Sequence, residues 1–193
     1  MSLLRRHGLL GRGAYATPIL VRSQGTAALA TATYTMTLSV TPVEGNLMVS
    51  CLGGNQTRTY SSGLSGWTLY TNSGGGGTCF MAYKIAGPSE ATSISVTLGG
   101  SLSGSMQYVE ISNADTSTAY QDELQATPGT TISHVYSSDV PYGAVTNFSN
   151  STGVISGVND GFSSIGTSRH QTAYKLSPAN GSTVTWTNGV SAN

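Results

Sequence analysis

Charge is what this chain has least of. Asp, Glu, Lys and Arg together make up 8% of its 193 residues, against roughly 25% in ordinary soluble domains. Eight basic residues balance eight acidic ones, so the body has no global field to draw in nucleic acid. No apolar run approaches the roughly 20 residues of a membrane span, and no membrane partner is expected. The three histidines, His7, His134 and His170, have no Cys or His at metal-binding spacing, which argues against a zinc site. A G-x-S-x-G nucleophile elbow is missing. The glycine run Ser73–Thr78 lacks the Lys-Ser/Thr and the helix that a phosphate loop requires, and reads as a hairpin tip. Neither an enzyme nor a cofactor is expected.

Helix signals are equally scarce. The segment ADTSTAYQDELQA, with Asp115 as a cap and Leu124 as an anchor, is the one short candidate. Strand signals dominate instead. TYTMTLSV alternates Tyr34, Met36, Leu38 and Val40 with Thr or Ser, and SISVTL alternates Ile94, Val96 and Leu98. Further strands are expected over 19–23, 46–52, 67–71, 78–86, 106–111, 130–136, 144–149, 162–166, 170–176 and 183–187, separated by clusters such as GGNQ, AGPSE and SPANGS. About ten to twelve short strands without helices predict an all-β, jelly-roll-like two-sheet β-sandwich. Only two cysteines occur, Cys51 and Cys79. Alternation turns both toward a core, with Lys84 pointing out, an arrangement that permits a disulfide and is equally expected of two buried thiols.

The little charge there is gathers at the start. Arg5, Arg6, Arg12 and Arg22 all precede the first acidic residue, Glu44. In MSLLRRHGLLGRGAY the pair Leu9-Leu10 is hemmed in by Gly8, Gly11, Arg12 and Gly13, so the apolar stretch of a secretory signal does not form. With few basic residues and no interleaved aromatics, the segment would neutralise only a few phosphates. It reads instead as an extended arm, residues 1–17, preceding a β-sandwich domain over 18–193. Leu3, Leu4, Leu9 and Leu10 would fill grooves on a neighbouring subunit, and Arg5, Arg6 and Arg12 would pair with its carboxylates.

An internal echo runs through the body. GWTLYTNSGGGGTCFMAYKIAGPSEATSISVTLGG from Gly66 is answered by GFSSIGTSRHQTAYKLSPANGSTVTWTNG from Gly161, with Ala82-Tyr83-Lys84 matching Ala173-Tyr174-Lys175 and Trp67 matching Phe162. A period of about 90 residues is too long for a solenoid and suits an echo between the two halves of one jelly roll.

The order EGNLMVSCLGG, SGWTLYTNSGGGGTCFMAYKIAGPSEATSISVTLGG and MQYVEISN resembles a jelly-roll module common in virion proteins of tailed bacteriophages. That module carries a Gly-Asp/Asn-Leu strand, a Gly-Trp turn and a Tyr-Lys-hydrophobic-Ala-Gly strand. The likeness covers Glu44–Asn113, a little over a third of the chain. The module's final aromatic-Gly element is replaced here by YVEISNAD. The resemblance implies a non-enzymatic structural protein located in the virion, with capsid or tail subunits as partners and a homo-oligomeric state. The alternative it implies is a carbohydrate-binding adhesin or receptor-binding fibre that meets a host surface glycan.

For glycan stacking the expected residues are Tyr60, Tyr70, Tyr136 and Tyr142, because amphipathic rings suit sugars. Trp67, at a strand start, is read as packing between sheets, and Trp186, which shares a face with Val184, as core. A carboxylate pair for glycoside hydrolysis is the remaining chemistry to weigh. Glu44 and Glu90 lie in turns, and Glu110, within a strand, is expected to face solvent.

Overall fold

The computed structural model describes residues 20–54, 56–74, 77–113, 131–135, 142–148, 155–156, 163–166, 170–176 and 183–188. The arm, the short helix candidate and Tyr136 lie outside them. The described residues form strands and connections, with no helix among them. The first eight strands are β1 (Leu20–Leu29), β2 (Thr33–Thr37), β3 (Leu47–Gly54), β4 (Tyr60–Ser62), β5 (Thr68–Gly74), β6 (Gly77–Ile85), β7 (Ser93–Leu98) and β8 (Gly104–Ser112). Six follow: β9 (Thr131–Val135), β10 (Tyr142–Phe148), β11 (Ile155–Ser156), β12 (Ser163–Gly166), β13 (His170–Leu176) and β14 (Thr183–Asn188).

The first eight make an antiparallel β-sandwich with jelly-roll-like connectivity. One sheet runs β1-β8-β3-β6-β5 and the other β2-β7-β4. Strand β5 pairs with β6 and so extends the first sheet. Between the sheets, Tyr34, Met36, Ile94, Val96 and Leu98 of the smaller one meet Met48, Leu52, Phe80, Met106 and Tyr108 of the larger. Each such side chain contributes about 1.5–3 kcal/mol on burial. The alternation in β2 and β7 is therefore real: one face is buried and the Thr and Ser face is more open.

Strand β3 breaks that rule, because every one of its residues is buried. Met48 and Leu52 enter the inter-sheet core, while Leu47, Val49 and Cys51 join Val109 and Ile111 in a second cluster on the other face of the sheet. Ile165 of β12 packs on that second cluster. The five-stranded sheet is thus a central layer. Cys51 is buried opposite Met81, whereas Cys79 lies opposite Gly53.

The strands after β8 form two more sheets, β10-β13-β12 and β11-β14-β9. Their order repeats that of β2 to β7: β3, β6 and β5 correspond to β10, β13 and β12, and β2, β7 and β4 to β9, β14 and β11. The register repeats as well. Tyr83 faces Thr68 and Val49 on its two sides, and Tyr174 faces Ser163 and Ala144. The echo therefore joins two copies of a six-strand arrangement, where the sequence had suggested two halves of a single sandwich. Strands β10, β13 and β12 stack against β6 and β3, β3 and β8, and β8 and β1 respectively.

Candidate functional site

Side chains and a backbone amide from three parts of the chain converge on Glu110. Two tight turns prepare the region. Asn46 N–H donates to Val43 O at 3.1 Å and Trp67 N–H to Leu64 O at 3.2 Å. The third residue of each turn is a glycine at positive φ, Gly45 at 84° and Gly66 at 78°. That backbone state favours glycine, which is why EGN and SGW each carry one.

Contrary to expectation, Glu110 does not face solvent; its exposure is 0%. It points into the sandwich on the same face of β8 as Tyr108, because β8 lies between β1 and β3 and is covered on both faces. Five groups donate to it: Val43 N–H at 3.0 Å and Asn46 Nδ2 at 2.6 Å to Oε1, and Arg22 Nη1 at 2.9 Å, Ser23 Oγ at 3.0 Å and Tyr108 Oη at 3.5 Å to Oε2. Arg22 also donates to Thr41 O at 2.9 Å. Burial pushes the Glu110 carboxyl up, but the donors from Val43, Asn46, Arg22 and Ser23 outweigh it and hold the group below its ordinary value. The same burial, together with the Glu110 charge, pushes the Tyr108 hydroxyl well above its usual range. This is an ionised carboxylate clasped from β1, the β2–β3 turn and β8. With donors on both of its oxygens, the carboxylate ties these three elements together.

A second cluster joins the other motif residues. Lys84 does not point out into solvent: Nζ lies 2.7 Å from Glu90 Oε1, with 16% and 14% of the two side chains exposed. Its ammonium also lies 5.7 Å from the Trp67 ring centroid, within cation–π range. Gly87 N–H donates to Glu90 Oε2 at 3.1 Å. Burial raises the Glu90 carboxyl, and Lys84 with the Gly87 and Ala91 amides brings it below its ordinary value. Trp67 packs against the inter-sheet core, as its position predicted.

Of the tyrosines singled out for glycans, Tyr60 is half-buried against the inter-sheet core and accepts a hydrogen bond from Leu64 N–H at 2.9 Å. Tyr70 stacks on Tyr83, centroids 6.2 Å apart and planes within 13°. Tyr142 begins β10. The structure does not gather Tyr60 and Tyr70 into one site: Tyr60 packs on the inter-sheet core, while Tyr70 shares the outer sheet face with Met81, its cross-strand partner. A void bordered by Leu52, Leu64, Phe80, Val96 and Met106 measures about 10 Å³, enough for one water and far below a ligand pocket of roughly 300 Å³ or more. Among the described residues no three His, Cys, Asp or Glu converge on a metal position. No helix among them is long and apolar enough to cross a membrane.

The clasp on Glu110 was missed in the sequence because a lone Glu in a strand reads as surface. The signal was that MQYVEI carries apolar residues at both parities, Met106 and Tyr108 on one face and Val109 and Ile111 on the other, which suits a strand covered on both faces. Compared with family models, with curated proteins and with solved structures, the chain matches none.

Proposed function

We propose that the chain is a non-enzymatic structural protein of a tailed-phage virion, decorating or extending the capsid or tail and attached through its N-terminal arm. One observation carries this reading: the residues of the phage-module resemblance are the ones that pin the sandwich. Asn46 holds Glu110, and Lys84 pairs with Glu90 while lying against the Trp67 ring. A likeness that falls on fold-determining positions supports shared architecture more than one scattered over the surface. A hydroxyl-rich surface with little charge suits a particle exterior, and repeated weak contacts summed over many copies give lasting attachment.

The test compares particles assembled with the full chain and with a chain lacking residues 1–17. Purified particles should contain the first and not the second, while both show the same β-type circular dichroism. Normal incorporation of the shortened chain would remove the anchoring role. A glycan array adds the opposing reading: specific binding lost in Tyr70→Ala would make the chain an adhesin.

A further inference from the structure

The two oxygens of Glu110 serve different parts of the fold. Oε1 accepts from Val43 N–H and Asn46 Nδ2, in the β2–β3 connection. Oε2 accepts from Arg22 Nη1, Ser23 Oγ and Tyr108 Oη. Arg22 and Ser23 are consecutive, and in a regular strand their side chains would leave on opposite faces. The register of β1 on β8 shifts at this point: Val21 faces Ile111 and Ser23 faces Glu110, which leaves Arg22 as an extra residue. That bulge brings both side chains onto one carboxylate oxygen.

The bulge also divides β1 unequally. From Ser23 to Leu29 the strand follows β8 in unbroken register. The head, residues 20–22, has two ladder positions, the packing of Val21 on the outer cluster and a 3.4 Å hydrogen bond from Ser112 Oγ to Leu20 O. Its charge-assisted tie is the bond from Arg22 to Glu110, and such bonds are about twice as strong as neutral ones. Leu20 itself is 54% exposed.

All five partners donate to the carboxylate, so a proton arriving on it needs an acceptor. Beside Oε1 the Val43 N–H and the Asn46 N–H₂ can only donate. Beside Oε2 the Ser23 and Tyr108 hydroxyls can turn and accept. Arg22 cannot turn its role around, because a guanidinium has five N–H donors and no acceptor, and the charge it faced is gone. With 33% of its side chain already exposed, it has a short path to water.

We propose that Glu110 is an acid-opened latch on the head of β1: on taking up a proton it lets Arg22 go, and residues 20–22 part from β8 while 24–29 and the β2–β3 connection stay in place. Whatever precedes Leu20 then gains three residues of reach, about 10 Å when extended. The direction follows from the groups around the carboxylate. Burial raises its pKa, but the donors outweigh burial and hold it below the ordinary range, so the latch is closed at neutral pH and opens as pH falls through that lowered value. The Tyr108 hydroxyl, pushed up by burial and by the Glu110 charge, keeps its proton throughout. Glu44, in the same connection, is exposed, and Lys84 of β6 is held by Glu90.

Amide hydrogen exchange followed by NMR on the full chain tests this, with rates corrected for the intrinsic effect of pH and the Glu110 carboxyl carbon shift recorded on the same samples. As Glu110 titrates, protection over 20–22 should fall about tenfold or more while protection over 24–29 holds. Arg22→Gln, which removes the charge at a partly exposed position, should show the loose head already at about pH 6 and no further loss in acid. Glu110→Gln should do the same. A head that stays protected through the Glu110 titration, or one that is still protected in Arg22→Gln at about pH 6, would overturn the proposal. So would loss of protection over 20–22 and 24–29 together, the mark of unfolding as a whole. None of these results depends on incorporation into particles, so the latch and the virion reading stand or fall separately.

Discussion

A fully buried carboxylate costs several kcal/mol unless it is hydrogen-bonded and paired, and Glu110 meets both conditions through Arg22, Ser23, Val43 and Asn46. Glu110→Ala leaves those donors facing one another without an acceptor, and the expected loss is about 3–5 kcal/mol in urea unfolding. Glu110→Gln keeps one acceptor oxygen but aims an amide N–H₂ at donors, for a loss of about 1.5–3 kcal/mol. The clasp also sets a pH dependence. Its folded pKa is lowered, so the unfolded chain binds the proton more readily. The stabilisation is therefore complete above the ordinary carboxylate pKa of about 4.3 and is lost as pH falls through the lower folded value. Glu90 is shifted the same way and adds to the same window. Stability measured by urea midpoint from pH 6 down to pH 3 should fall in the parent and fall less steeply in Glu110→Gln. An equal slope in both would remove Glu110 from the account. At this scale the sequence was legible for Trp67 and illegible for Glu110, since side-chain alternation tells which face a residue occupies and not whether that face is covered.

Strands are set by what lies on both sides of them, and β8 shows how tight that can be. A Cβ added at Gly104 would meet Gly53 O at 1.9 Å and Gly54 Cα at 2.6 Å, both backbone atoms that cannot swing away. Gly104→Ala is expected to part β3 from β8 at that end, at a cost of about 1–3 kcal/mol, read as a lowered melting temperature. Gly100→Ala is the contrast: its nearest contact is the Arg58 side chain at 3.0 Å, which can move, and a change under about 1 kcal/mol is expected. The pair Lys84–Glu90 is partly exposed, and a double-mutant cycle with alanine should return about 0.5–1 kcal/mol of coupling. Most strands were readable from alternation, and β13 was placed to the residue over His170–Leu176. The short β4 and β11 escaped because two or three residues carry no period. The far half of β1, GTAAL, escaped because small residues give no apolar signal although Ala27 packs on the core.

Across the whole molecule, the two strand sets meet through the outer face of the central sheet. Each has its own hydrogen-bonded sheets, and among the described side chains they meet at the cluster of Leu47, Val49, Cys51, Val109 and Ile111 with Ile165 against it. The sequence showed that two segments were alike; it could not show that they stack, because the apolar outer positions of β3 and β8 look the same whether they face a neighbouring strand set or a partner. That junction predicts the unfolding behaviour. While Ile165 is seated, losing one set exposes the other's cluster, and calorimetry should give a single transition. Ile165→Asp puts a charge onto the apolar cluster, where an unpaired carboxylate is strongly disfavoured. The two sets should then separate energetically and melt as two resolved transitions, the higher one close to the parent value because the first sandwich keeps its inter-sheet core. One transition shifted downward as a unit would mean that the sets depend on each other through more than this cluster.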